Sequence, residues 1–171
     1  MILGAGVSGL LHPVSTPAHV VAVISLSLIA GRDFLHAGAA IIGAFALGLA
    51  AGLGAIASGV GETPASDVLM ASAALCGLIA AADVIMPAPL AAPVALVSGG
   101  ALGLDSPPDS IFVDEAVAML IGTACGGVAA LTMIAFVASK MACVWKGVLL
   151  RVAGSWTAAI AILVLALRWV A

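Results

Sequence analysis

The sequence predicts an all-α polytopic membrane protein built as a bundle of about six transmembrane helices. Only 8% of its 171 residues are charged, 64% are hydrophobic, and the mean hydropathy is +1.35. A soluble domain of this length needs a larger polar share to cover its surface, so the expected solvent is the hydrocarbon of a lipid bilayer. The few charged residues are concentrated between long apolar segments, which is the pattern of successive membrane spans.

Six mostly apolar segments have at least about 17 residues, the lower end of the range for transmembrane helices. They are too long for barrel strands and show no alternation of polar and apolar residues, which favours helices. No gap between them can hold a soluble domain, so residues 1–171 are predicted to form a single transmembrane helical domain. The predicted spans cover residues 8–31, 35–58, 66–86, 88–104, 112–138 and 147–170.

The first span is predicted to be a broken helix. Ser15 or Thr16 followed by Pro17 is typical of a helix N-cap with proline in the first turn. Pro17 also removes a backbone donor and disfavours helix at the residue before it. We therefore expect a regular helix from about Pro17 and, before it, a bent segment that carries His12.

His12 and His19 are the candidate metal ligands. The apolar run after His19 is only about 16 Å long as a helix, so the span must include this region and His19 is expected within the membrane. An ionisable residue at that depth suggests function, and neutral imidazole is a ligand for nickel, copper, zinc and iron. The alternative is that both histidines are buried hydrogen-bonding residues that fix helix packing. A metal ion would also need a carboxylate to balance its charge, and none lies nearby in the sequence.

The second and fifth spans are rich in small residues. Gly48 and Gly52 form one Gly-x-x-x-Gly pair, and Gly122 and Gly126 form another. This spacing lets two helix backbones approach closely. The glycine pairs indicate either packing within the chain or a dedicated oligomer interface.

Acidic residues stand at the starts of the third and fifth spans. Asp67 opens the third, and Asp114 and Glu115 open the fifth, where a negative charge stabilises the helix dipole. Together with Asp105 and Asp109 they could alternatively form an outward-facing vestibule that attracts cations.

The charges also predict the orientation of the bundle. Excess Lys and Arg marks the cytoplasmic side, so both termini are predicted on the outer, periplasmic side of a bacterial inner membrane. Asp83 is expected on the basic side, where it could pair with Arg32 or Lys140. The basic side receives Arg32, Lys140, Lys146 and Arg151, and the other side receives Glu62, Asp67, Asp105, Asp109, Asp114 and Glu115.

The segment Gly9-Leu10-Leu11-His12-Pro13, with His19 after it, resembles the first-helix signature of the HupE/UreJ family. Members of this family are small membrane proteins of six or seven helices, linked to hydrogenase and urease maturation and regarded as nickel permeases or nickel-supply accessories. The resemblance implies a helical membrane fold and a nickel site that uses His12 and His19. Weaker similarity continues in residues 47–52, 89–91 and 151–154.

The chain departs from the family pattern at two places. The family's first motif is His-Pro-x-x-Gly-x-Asp-His, and Thr16 and Ala18 stand here in place of its glycine and aspartate. A second family motif, rich in histidine and glycine and closed by a glutamate, should fall within residues 103–114, which contain no histidine. Of the family's presumed ligands, only His12 and His19 carry over.

Two functions are compatible with the sequence. The first is a divalent-metal permease or metal-supply accessory, in which His12 and His19 bind a transported ion such as nickel and Asp67, Asp114 and Glu115 contribute at the outer face. The second is a non-transporting structural subunit that packs within a larger respiratory or photosynthetic membrane complex or in a homo-oligomer, which the missing ligands and the small-residue faces favour. No nucleophile–base pair or cofactor motif stands out, so no enzymatic activity is predicted. A net charge of −3 argues against nucleic-acid binding.

Overall fold

The computed structural model describes residues 2–60, 64–108, 110, 112–144 and 147–170. This part of the chain contains seven α-helices and no β-strand, which confirms the predicted all-α class. A short π-helical turn, Phe34–Gly38, joins the second and third helices. The helices are α1 (Ile2–Ser15), α2 (Pro17–Arg32), α3 (Ala39–Ala57), α4 (Ala65–Ala81), α5 (Ala88–Leu104), α6 (Val113–Val144) and α7 (Val148–Val170).

Three of the described segments are long and apolar enough to cross a membrane on their own, which indicates an integral membrane protein. They are Phe34–Ala57, Val113–Met141 and Val148–Val170. α1 and α2 pass the same test only when taken together, and they are bent by 67°. α4 and α5 have 17 residues each, about 25 Å of helix, which is less than a hydrocarbon core of about 30 Å. All six predicted spans are therefore helical, whereas six complete crossings stay a prediction.

The break in the first span lies at Thr16. This residue is extended, with φ −91° and ψ 116°, and Pro17 is the first residue of α2. The hydroxyl of Thr16 makes no cap hydrogen bond. The predicted segment 8–31 is corrected in one respect, since the part before the break is itself a regular helix that begins at Ile2. No proline interrupts residues 2–12, so a helix forms there and packs against α6.

α2 is the central helix of the bundle. Between Ala22 and Gly31 every residue except Ile24 is buried, and α2 contacts α1, α4, α5, α6 and α7. A helix that is buried all round must have its polar side chains satisfied by hydrogen bonds. Accordingly, the hydroxyls of Ser25 and Ser27 donate to carbonyl groups one turn earlier in α2.

Glycines bring α3 and α5 into backbone contact. A Cβ atom at Gly48 would lie less than 3.0 Å from the carbonyl oxygen of Leu96. A Cβ atom at Gly52 would also lie less than 3.0 Å from a carbonyl oxygen, that of Gly100. Cβ atoms are essentially never found so close to another atom, so these positions admit only glycine unless the helices separate. The first Gly-x-x-x-Gly pair therefore packs within the chain.

The second pair, Gly122 and Gly126, faces α1. A Cβ at Gly122 would collide with the carbonyl oxygen of Gly6, and a Cβ at Gly9 would collide with that of Met119. α1 is thus seated on α6 along a strip of small residues. Because both glycine pairs serve packing within the chain, neither supports the alternative of an oligomer interface.

Basic residues hold the helices together at both ends of the bundle. Arg168 of α7 donates to Asp67 at the start of α4, at 2.8 Å, and also to the hydroxyl of Ser66. At the other end, Arg151 donates to the carbonyl of Ala81 at 3.3 Å. We name this second end, where α2, α4 and α6 finish, the Arg32 end. The opposite end, where α3, α5 and α7 finish, is named the Asp105 end.

Asp83 pairs with Arg32, one of its two predicted partners. The Arg32 side chain is only 8% exposed, whereas that of Asp83 is half exposed, and Arg32 also donates to the carbonyl of Ala80 at 3.2 Å. Asp83 has φ 63°, a left-handed conformation that ends a helix and that aspartate tolerates better than most residues. The third predicted span, 66–86, therefore stops as a helix at Ala81.

Two substitutions separate the roles of Asp83. Asp83→Ala should lower the free energy of unfolding by about 2–3 kcal/mol, because it removes the partner of a buried arginine and places a Cβ-bearing residue without local hydrogen bonding at positive φ. Asp83→Gly should lose about 1 kcal/mol less, since glycine adopts this φ freely. Thermal unfolding in detergent would measure both, and equal losses would show that the backbone conformation costs nothing.

Candidate functional site

A buried histidine and a carboxylate meet at the Asp105 end of the bundle. His19 lies in the first turn of α2 and is fully buried. Its Nε2 atom is 3.1 Å from Oδ2 of Asp105, the residue that directly follows α5. The Asp105 side chain is 29% exposed. Its carboxylate therefore contacts both the buried ring of His19 and the surface of the protein.

His12 lies beside this pair. It is placed in the last turn of α1, and its ring centroid is 5.1 Å from that of His19, with an angle of 69° between the ring planes. The two histidines belong to different helices, and the bend at Thr16 brings them together. His12 and His19, the candidate metal ligands of the sequence, therefore lie side by side across the bend.

The pairing with Asp105 defines how His19 can act. When Nε2 carries the proton, it donates to the carboxylate and the lone pair of Nδ1 is left for another partner. Nδ1 of His19 is buried and has no hydrogen-bond partner among the described residues. A carboxylate that holds one ring nitrogen while the other binds a metal ion is a common arrangement around protein-bound metals. With metal–nitrogen distances of about 2.1 Å, two imidazoles on one tetrahedral ion have ring centroids about 5 Å apart, which fits the spacing of His12 and His19.

This site is not a complete metal cage. In the part of the chain that the structure describes, no group of three or more His, Cys, Asp or Glu side chains could hold a metal ion. An ion held by His12 and His19 would therefore take its remaining ligands from water or small anions. Such a site favours weak and reversible binding over permanent retention.

The other acidic residues proposed for the outer face have their own partners. Asp67 is paired with Arg168, and Glu115 accepts a hydrogen bond from Ser110 at 3.0 Å. Asp114 is exposed in the first turn of α6. All three lie at the Asp105 end of the bundle, but none is shown in contact with His12 or His19. Glu62, Asp109 and Lys146, which the predicted charge distribution also used, lie outside the described residues.

Toward the Arg32 end, His19 is followed by apolar side chains. Val23, Leu26 and Ala30 recur at helical spacing on the same side of α2 as His19, and all three are buried. The hydroxyls of Ser25 and Ser27, which also belong to α2, donate to backbone carbonyl groups. Within the described residues, α2 therefore offers no polar route from His19 to the Arg32 end.

Asp105 is the residue whose role the sequence did not predict. The sequence places Asp105 only among the acids of the outer face, and it shows no carboxylate near His19. The two residues are 86 positions apart, so local spacing carries no signal of their contact.

Comparisons of the chain with protein-family models, with curated proteins and with solved structures found no match.

Proposed function

We propose that this chain is a HupE/UreJ-like integral membrane protein that binds a divalent transition-metal ion, with nickel the expected ion, at His12 and His19. It would act as a permease or as a metal-supply accessory. The observation that carries this proposal is the fully buried His19, fixed by Asp105 through Nε2 and adjacent to the ring of His12. The proposal assigns no catalytic step to the chain.

Asp105 supplies what the first-helix motif lacks. The start of α2 carries partial positive charge, which disfavours a cation near His19. A carboxylate offsets both this partial charge and the charge of the ion. In the family pattern an aspartate precedes the second histidine, and here that position is Ala18. Asp105 brings a carboxylate to the same histidine from the end of α5.

The distribution of basic residues suggests which side of the membrane the site faces. Arg32, Lys140 and Arg151 all lie at the Arg32 end, and excess basic residues mark the cytoplasmic side. The site would then lie in the outer half of the membrane and accept its ion from the periplasm. Since Val23, Leu26 and Ala30 close the way inward, release into the cytoplasm would need a second conformation.

The closed interior also supports a second candidate function. A non-transporting structural subunit of a membrane complex needs no route through the bundle, and the apolar packing below His19 suits that role. The histidine–carboxylate pair would then be a buried hydrogen-bonded contact that fixes α2 against α5. This alternative predicts stoichiometric partner proteins and no bound metal after gentle purification.

Nickel binding to the purified protein decides between the two. In calorimetric titrations in mild detergent, the wild type should bind one nickel ion reversibly, and His19→Ala should abolish binding. Asp105→Asn should weaken binding about 10–100-fold, the usual cost of losing a carboxylate that orients a ligand. His36→Ala is the control, because His36 is 84% exposed and belongs to the Arg32 end.

Transport is tested separately from binding. Proteoliposomes that contain a nickel-sensitive dye should respond to external nickel with the wild type and with His36→Ala, but not with His19→Ala. Size-exclusion profiles and circular dichroism establish that each variant is folded. A wild type that binds no divalent ion and co-purifies with partner subunits would contradict the metal proposal and support the structural subunit.

A further inference from the structure

A second polar site lies at the Arg32 end, away from the histidine pair. An open cavity of about 320 Å³ is lined by the last turn of α2, the π-helical turn and α6. Its polar lining comes from Arg32, Asp33, His36, Ser139 and Lys140, and Phe34 and Phe136 provide much of its apolar lining. The two phenylalanine rings contact each other edge to face, with centroids 6.0 Å apart.

Basic groups outnumber acidic groups around this cavity. Arg32, His36 and Lys140 are its basic residues, and Asp33 is the single acid among the described lining residues. The carboxylate of Asp33 is 2.7 Å from Nδ1 of His36, so it is already engaged. Asp83, the partner of Arg32, is not part of the described lining.

Some hydrogen-bond donors of Arg32 and Lys140 have no acceptor among the described residues. Lys140 has no acidic partner among the described residues, and its ammonium lies 5.0 Å from the centre of the Phe136 ring. Arg32 donates through Nη2 to Asp83 and Ala80, while its Nε has no partner in the described part of the chain. Lysine and arginine donors that converge on one cavity are suited to the oxygens of a phosphate group.

The surroundings of the cavity point to a lipid as the source of the phosphate. Leu35 of the π-helical turn is 88% exposed, and Met133 of α6 is 70% exposed. Leu35 is part of the cavity lining, and Met133 lies about one helical turn before Phe136 on α6, so both belong to the surface that would face the bilayer. Basic pockets between membrane helices on the cytoplasmic side are known to bind anionic lipid head groups.

We infer that the cavity between α2, the π-helical turn and α6 binds the phosphate of an anionic phospholipid, with Lys140 and Arg32 as its cationic contacts. The acyl chains of the lipid would lie along the exposed surface near Met133. This inference does not depend on the metal site, because the two sites belong to opposite ends of α2. Either can therefore fail without the other.

Native mass spectrometry of the full chain tests the inference. Protein exchanged into detergent without metal would be incubated with phosphatidylglycerol or with phosphatidylcholine. We expect one phosphatidylglycerol per chain to be retained at least fivefold better than phosphatidylcholine. Lys140→Gln should remove this preference, and Lys140→Arg should keep it.

The matched control is Arg151→Gln, which removes one positive charge from the same end but from outside the cavity. It should retain phosphatidylglycerol like the wild type. Equal losses in Lys140→Gln and Arg151→Gln would overturn the inference in favour of nonspecific surface charge. Inorganic phosphate is the second probe. Displacement of the lipid by millimolar phosphate would overturn a phospholipid as the natural ligand, whereas retention would support it.

Discussion

Gly48→Ala is expected to lower the free energy of unfolding by about 3 kcal/mol, the upper part of the range for overpacking a tight interior. The added Cβ would lie less than 3.0 Å from the carbonyl oxygen of Leu96 and from the amide nitrogen of Gly100. Both obstacles are backbone atoms of α5, so no side chain can rotate to make room. Relief requires α3 and α5 to separate, which weakens the whole contact between them.

The same helix provides the control for this prediction. Gly43 and Gly54 also lie in α3, but a Cβ at either position would meet nothing within 4 Å. Gly43→Ala and Gly54→Ala should leave stability unchanged or raise it slightly, because alanine favours helix over glycine by up to about 1 kcal/mol. Thermal unfolding of the three variants in one detergent makes the comparison. A midpoint for Gly48→Ala equal to that of Gly43→Ala would show that α3 and α5 are not in backbone contact.

Gly9→Ala is expected to release α1 from α6 and, with it, to misplace His12. The added Cβ would collide with the carbonyl of Met119. Among the described residues, α6 provides most of the contacts of α1, and α2 provides a much smaller number. The loss of stability should be smaller than for Gly48→Ala because the central bundle does not depend on α1. Backbone amides of residues 2–15 should exchange with deuterium faster, because exchange reports local opening.

The effect on the proposed metal site follows from the same displacement. If His12 is a ligand, Gly9→Ala should reduce nickel affinity as much as His12→Ala does, although residue 9 has no ligating atom. Gly4→Ala is the control in the same helix, since a Cβ at Gly4 meets nothing within 4 Å. Unchanged nickel affinity in Gly9→Ala, together with faster exchange in α1, would remove His12 from the site.

The parts of the fold that the sequence predicts are those with local causes. The all-α class follows from hydropathy, and the break at Thr16 follows from the missing donor and the ring of Pro17. The fourth predicted span, 88–104, coincides with α5, because Pro87 precedes it and Asp105 ends it. The third span was predicted too long, since its end depends on the left-handed conformation of Asp83, which aspartate allows but does not require.

Of the candidate site, the sequence predicts the two histidines, which are close together in the chain, but not their contact with Asp105. His12 and His19 were identified because ionisable side chains are rare in an apolar segment. Asp105 was one of several acids at the ends of the helices, and nothing in its neighbours distinguishes it. Its contact with His19 arises from the way α2 packs against α5. The residues adjacent to Asp105 in the sequence do not indicate which helix packs there. The same holds for the choice of Arg32 over Lys140 by Asp83.

The packing of α1 against α6 also constrains the order in which the bundle assembles during synthesis. The Gly6–Gly122 contact joins positions more than a hundred residues apart, so α1 leaves the ribosome long before its partner. At synthesis rates of about 5–20 residues per second, the delay is roughly 5–20 s. During this interval the glycine strip of α1 faces lipid or a chaperone, and the histidines cannot yet be enclosed. Insertion of α6 is therefore the step of biogenesis that completes the contact between α1 and α6, and under the proposed function the loading of a metal ion would follow it.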